Sequence, residues 1–149
     1  MTQLLGTKEA PIDILLVEDS PGDVRLTREA LRDAKVQLAL HVANDGVEAM
    51  EFLGHEGRFS GAPRPNLILL DLNLPRRDGR EVLEAIKTDP SLMSIPVVIL
   101  TTSESLADVM QSYRLHANCF ITKPVELDAF AQVFQFWLSV ARLPHEIET

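Results

Sequence analysis

The chain has 149 residues, 46% of them apolar, with 22 acidic against 14 basic side chains and a formal net charge of −8. This length suits one globular domain with a sizeable core, while the negative charge opposes the field needed to bind nucleic acid or an anionic membrane. The opening MTQLLGTKEAP has no basic stretch leading into a long apolar one, and no apolar run reaches the ~18 residues of a membrane span, so a cytoplasmic protein is expected.

The first apolar run, Ile12 to Val17, is short and partly β-branched, as strands of a doubly buried parallel sheet are. Ser20 and Pro21 then supply a cap and a first turn for a helix whose Val24, Leu26 or Thr27, Leu31 and Ala34 recur at helical spacing. A second strand is expected over Leu38 to Ala43, and Asp45-Gly46 opens a second helix through Val47, Met50 and Leu53. Gly54 to Asn66, rich in Gly, Pro and charge, lacks periodicity and is expected to be an exposed loop. Strand three covers Leu67 to Leu70, and Asp78-Gly79 opens a third helix through Val82, Leu83 and Ile86. Strands over Val97 to Leu100 and Cys119 to Thr122 alternate with helices near Ser105 to His116 and Glu126 to Arg142. Cys119 is the single cysteine, which excludes an internal disulfide and reads as a packing thiol. Five alternations predict an α/β fold, a doubly wound five-stranded parallel sheet with five helices on its two faces. One folded unit over 12–142 is expected, with tails at 1–11 and 143–149 and no output domain.

In such sheets ligands gather outside the carboxyl ends of the strands. Four of the five apolar runs finish there on polar groups: Glu18 and Asp19, Asp71, Thr101, and Lys123 followed by Pro124. A lone buried carboxylate such as Asp71 must lose its charge or find cations. Each residue alone has an ordinary explanation, such as a turn, a strand end or a lysine extended to water. Together they form the set that a phosphoryl-transfer site requires. His41, His55, His116 and His145 are scattered without metal-ligand spacing and read as surface or half-buried residues.

The motifs VEDS, LLDLNLPRRDG, VILTTS and FITKP, in this order and spacing, resemble the receiver domain of bacterial two-component response regulators. The resemblance runs from about Ile12 to Arg142. The fuller runs VEDSPGDVRLTREAL and LDLNLPRRDGREVLEAIK are similar to stand-alone receivers associated with phytochrome-type histidine kinases. This resemblance implies a flavodoxin-like receiver fold with strand order 2-1-3-4-5, and phosphoryl transfer from a sensor histidine kinase, here a bacteriophytochrome, to Asp71. It implies a Mg²⁺ ion held by Asp19, by Glu18 through water, by the Asp71 side chain and by the Asn73 carbonyl, a set of hard oxygen ligands. Lys123 would pair with Asp71 and then with the phosphoryl oxygens, Thr101 would turn its hydroxyl to the phosphoryl group, and Phe120 would move inward with it. Pro124 would follow a cis peptide. Asn73 and Ser103 stand where the family tunes dephosphorylation, and neither supplies an evident general base.

A haloacid-dehalogenase-type phosphatase also uses a strand-end aspartate with Mg²⁺, but it wants a second aspartate where Asn73 stands. A flavodoxin-like flavin binder would need a phosphate loop where EDSPGD offers carboxylates, and a non-phosphorylated interaction module would not need Asp71 together with Lys123. In the last helix, Leu127, Phe130, Ala131, Phe134, Leu138 and Ala141 form a core-facing stripe. A second stripe of Val133, Phe136, Trp137 and Val140 lies roughly 120° around the axis and predicts a homodimer interface. Downstream, a phosphotransfer protein or an effector is the expected partner.

Overall fold

Strands form where the sequence offers short apolar runs that can be covered on both faces. The computed structural model describes residues 11–32, 37–72, 74, 78–102 and 119–123. Its strands are β1 (Ile12–Val17), β2 (Leu38–Ala43), β3 (Leu67–Asp71), β4 (Val97–Thr102) and β5 (Cys119–Lys123). All neighbours pair in parallel, in the order β2-β1-β3-β4-β5. The helices are α1 (Pro21–Arg32), α2 (Gly46–Leu53) and α3 (Gly79–Thr88). This is the expected doubly wound sheet. The helices expected near 105–116 and 126–142, with the stripe of Val133, Phe136, Trp137 and Val140, lie outside the described residues, as do Asn73, Ser103, Pro124, His116 and His145.

Alternation along the strands divides the interior into two cores. Ile12, Ile14 and Leu16 of β1 join Leu67 and Leu69 of β3 beneath Ala30 and Leu31 of α1. Leu15, Val17, Ile68 and Leu70 face the other way, against Phe52 of α2 and Val82, Leu83 and Ile86 of α3. Glu18 and Asp71 continue the first of these parities, so both fall on the α1 side at the carboxyl ends of adjacent strands.

Local chemistry starts each helix where the sequence predicts. The Ser20 hydroxyl accepts from the Asp23 N–H at 3.3 Å, and Asp45 accepts from the Glu48 N–H at 2.8 Å. Glu48 Oε1 in turn accepts from the Asn44 N–H at 3.5 Å, a variant of the reciprocal capping box. Asp78 caps α3 through the Arg80 N–H at 2.7 Å and also receives the Arg80 guanidinium. At the far end of α3, Lys87 Nζ donates to the carbonyls of Met93 and Ile95, which ties the helix to the lead-in of β4. Burial there holds the Lys87 ammonium below the usual lysine range. In the same connection, hydrogen bonds from the Ser91 hydroxyl and N–H hold the Asp89 carboxyl below its ordinary value.

The segment between α2 and β3 is more ordered than its composition suggests. Gly57–Phe59 forms a 3₁₀ turn, Phe59 packs edge-on against Phe52 at 5.5 Å, and Pro65 is buried. Arg64 donates to the Ser91 carbonyl at 2.6 Å and to the Ser94 hydroxyl at 2.9 Å, and Asn66 exchanges hydrogen bonds with the Asp13 backbone. Tertiary partners thus hold a stretch that has no periodicity of its own. His41 is half-buried, with Nε2 3.1 Å from Asp13 Oδ1 and its ring 5.4 Å from Phe52, while His55 is exposed at φ 56°.

Gly79 marks the closest approach in the fold. A Cβ there would collide with the Asp71 carbonyl oxygen, and would lie 2.6 Å from Leu72 Cα and 2.9 Å from the Leu72 carbonyl oxygen. These are backbone atoms, so relief requires the turn after β3 to move. Gly79→Ala is expected to lower unfolding free energy by about 1–3 kcal/mol, measured by urea denaturation; an unchanged midpoint would show that the turn yields freely.

Candidate functional site

β1 and β3 are adjacent and in register, Val17 opposite Leu70, so Glu18 and Asp71 leave the sheet at the same height. Both are buried, at 1% and 4% exposure, whereas Asp19 is exposed. One carboxylate oxygen from each of Glu18, Asp19 and Asp71 lies within 4.8 Å of the others. Local bonds orient the rim. Glu18 Oε1 accepts the Ser20 N–H at 3.1 Å, and the Glu18 N–H donates to the Ala43 carbonyl at 3.0 Å. Ser20 therefore serves both the carboxylate and the start of α1. On the other side, the Leu72 N–H donates to the Leu100 carbonyl at 3.3 Å and Gly79 N–H to the Leu72 carbonyl at 3.2 Å, which folds the chain back behind Asp71.

β4 and β5 bring the remaining strand-end residues to the same edge. Asp71 is level with Leu100, and Leu100 with Ile121. Thr101 therefore stands one residue, and Lys123 two residues, beyond the level of Asp71 at the carboxyl end of the sheet. Phe120 is opposite Ile99, one residue below that level. The register thus gathers Glu18, Asp19, Asp71, Thr101 and Lys123 at one end of the sheet, while Asn73 and Pro124 fall outside the described residues. Gly79 was singled out in the sequence only as a helix opener. The signal for its second role is the DG that closes LPRRDG, where a tight turn must bring a helix start against the strand it has just left.

The donor set suits a hard divalent cation. Such an ion prefers oxygen ligands, and Glu18, Asp19 and Asp71 each offer one carboxylate oxygen within 4.8 Å of the others. The exposed Asp19 leaves a side open to water, which Mg²⁺ retains.

The response regulator receiver domain family matches residues 14–135. The chain belongs to this family. Response regulator Rcp1 of Synechocystis sp. is 50% identical over 138 residues, spanning 90% of this chain and 94% of Rcp1. The crystal structure of the Mn²⁺-bound form of Rcp1 is similar at a TM-score of 0.80 and 49% identity, covering 86% of this chain and 95% of that one. The phosphorylated cyanobacterial phytochrome response regulator RcpA is similar at a TM-score of 0.80 and 49% identity, covering 88% and 96%.

As a receiver, the chain is a two-component signalling protein that takes a phosphoryl group on an aspartate from a sensor histidine kinase, with Mg²⁺ as cofactor. Membership displaces the phosphatase, flavin-binding and unphosphorylated-module alternatives. No helix among the described residues is long and apolar enough to cross a membrane.

Cation binding to the folded state alone stabilises it by mass action. At 100 times the dissociation constant the gain is about 2.7 kcal/mol. Millimolar Mg²⁺ is expected to raise the melting temperature of the wild type, and Asp19→Asn to shrink that rise; identical melting curves in Mg²⁺ and in chelator would remove the site.

Proposed function

We propose that Asp71 is the phosphoacceptor. The observation that carries this reading is the convergence of Asp71, the buried last residue of the central strand, with Glu18 and Asp19. An Asp71 carboxylate oxygen attacks the phosphorus of a phosphohistidine, the P–N bond breaks, the imidazole leaves with its electron pair, and an acyl phosphate remains. Asp19, Asp71, Glu18 through water and the Asn73 carbonyl would hold Mg²⁺. When bound, the ion offsets the negative charge of carboxylate and phosphoryl oxygens as they approach. Lys123 neutralises the phosphoryl oxygens, and Thr101 gives its hydroxyl to one of them while Phe120 moves inward. The strand-end placement of Thr101 and Lys123 supports these roles.

The likeness to Rcp1 and RcpA supports a phytochrome-type histidine kinase as donor. We place the protein in the cytoplasm, where such a kinase presents its phosphohistidine. In this reading residues 12–142 are the receiver, and 1–11 and 143–149 are tails. The protein then acts by binding a phosphotransfer protein or effector rather than by turning over a substrate. Val133, Phe136, Trp137 and Val140 form the homodimer contact. Because Phe120 and Lys123 lie on β5, phosphorylation can bias a contact beside that strand.

With Mg²⁺ and a small phosphodonor, the wild type is expected to gain one acyl phosphate, mapped to Asp71, and Asp71→Asn to gain none while keeping its fold. Label on another residue would overturn the assignment. In sedimentation of the same samples the wild type should run as a dimer and Phe136→Asp with Val140→Asp as a monomer; a wild type monomeric in both states would remove the dimer.

A further inference from the structure

Glu18 is the member of the carboxylate cluster with the longest arm, and it is buried at 1% exposure beside Asp71 and Asp19. A long side chain gives up rotamer freedom when it is fixed, so a partner that holds it in advance favours the site it belongs to. Ser20 is such a partner. Its N–H donates to Glu18 Oε1 at 3.1 Å. The same residue is bonded to α1 from its other atoms: its hydroxyl accepts the Asp23 N–H at 3.3 Å, and its carbonyl accepts the Val24 N–H at 3.0 Å. Both donors belong to the first turn of α1. One turn further on, Thr27, also 1% exposed, donates its hydroxyl to the Asp23 carbonyl at 2.9 Å. A continuous line of hydrogen bonds therefore runs from the Glu18 carboxylate through Ser20 and Asp23 into the buried face of α1.

Backbone geometry makes these bonds depend on one another. The Ser20 N–H lies in the plane of the peptide joining Asp19 to Ser20, so its direction is set by the same short segment that carries the Asp19 carboxylate. Every residue type at position 20 except proline keeps that N–H. Only a side chain with an acceptor also ties the segment to α1, and losing such a cap shifts the balance between a closed and a frayed first turn by about fivefold. An ordinary helix cap would stabilise α1 and leave the carboxylates indifferent. Here the capping residue donates directly to one of them.

Resting on the reading of Glu18, Asp19 and Asp71 as the Mg²⁺ site, we propose that Ser20 is a positioning residue for the cation: its hydroxyl closes the first turn of α1, and its N–H thereby holds the Glu18 carboxylate in the orientation that serves the ion. Such a linkage is reciprocal. A closed turn favours the ion, and the bound ion favours the closed turn. Mg²⁺ thus tightens the start of α1, and its departure loosens it.

Titration of the full chain with MgCl₂, followed by amide NMR, tests this role. Ser20→Ala keeps the N–H and loses the hydroxyl, and is expected to weaken Mg²⁺ binding by about fivefold. Ser20→Thr, which retains a capping hydroxyl, should restore wild-type affinity. As a control for general loosening, Asn66→Ala removes the Oδ1 that accepts the Asp13 N–H at 2.8 Å, at the opposite end of β1; it should lower the melting temperature in chelator and leave the Mg²⁺ dissociation constant unchanged. In the wild type, saturating Mg²⁺ should slow exchange of the Asp23 and Val24 amides relative to chelator, by about the factor that Ser20→Ala costs in affinity, and Ser20→Ala should lose that slowing. Equal dissociation constants for the wild type and Ser20→Ala would overturn the role of Ser20 while leaving the site standing, as would an equal loss of affinity in Asn66→Ala or no recovery in Ser20→Thr. A wild type that binds no Mg²⁺ would remove the site and this role together.

Discussion

Burial of β3 on both faces is the constraint on which the rest of the structure depends. Leu67, Ile68, Leu69 and Leu70 are all at 1% exposure or less, and fully burying each such side chain contributes about 1.5–3 kcal/mol. Their combined contribution, about 6–12 kcal/mol as an upper estimate, exceeds the several kcal/mol that taking a carboxylate out of water costs. The strand can therefore carry Asp71 into a nearly closed position at its end. Two residues earlier the carboxylate would lie in the core; two later it would leave the sheet.

Position along the strand is only half of the site. The other half is the backbone that returns behind Asp71. Leu72 continues the ladder to Leu100, and Gly79 then closes on the Asp71 and Leu72 carbonyls so tightly that no side chain fits. Asp78 caps the helix that begins there and also receives the Arg80 guanidinium. The turn is thus held at its exit by a helix start, and by a hydrogen bond to β4 at its entry. A similar economy operates at the end of β1. There Ser20 offers its N–H to Glu18 and its hydroxyl to Asp23, so that the carboxylate and the first turn of α1 share one anchor.

The opposite end of the sheet is assembled by different means. Asn66 and Asp13 join the starts of β1 and β3 through backbone and amide hydrogen bonds. Arg64 and Lys87 bind the carbonyls of the connection into β4, and tilted and edge-on ring contacts join His41 of β2, Phe52 of α2 and Phe59 of the 3₁₀ turn. These contacts carry no chemistry. They set where each strand begins, and register then carries that placement to the carboxyl end.

The alternation of short apolar runs with capped helical patterns determined the fold by itself, because burial on both faces of a parallel sheet and the cap residues Ser20, Asp45 and Asp78 are local requirements written in residue type. The acidic pair at Glu18 and Asp19 and the stranded Asp71 were legible for the same reason: a carboxylate at the end of an apolar run has few uses. Other features depended on tertiary structure. The convergence of one oxygen from each of three carboxylates within 4.8 Å needs the register of β1 against β3, which no single segment encodes. The exclusion of a side chain at Gly79 arises from two segments meeting in space, and the order in Gly54 to Asn66 comes from partners far along the chain, Ser91, Ser94 and Asp13. The half-open edge of β2 beside Arg28 and Arg32 is likewise decided by sheet order, because an apolar run looks the same in sequence whether it becomes a central strand or an outer one.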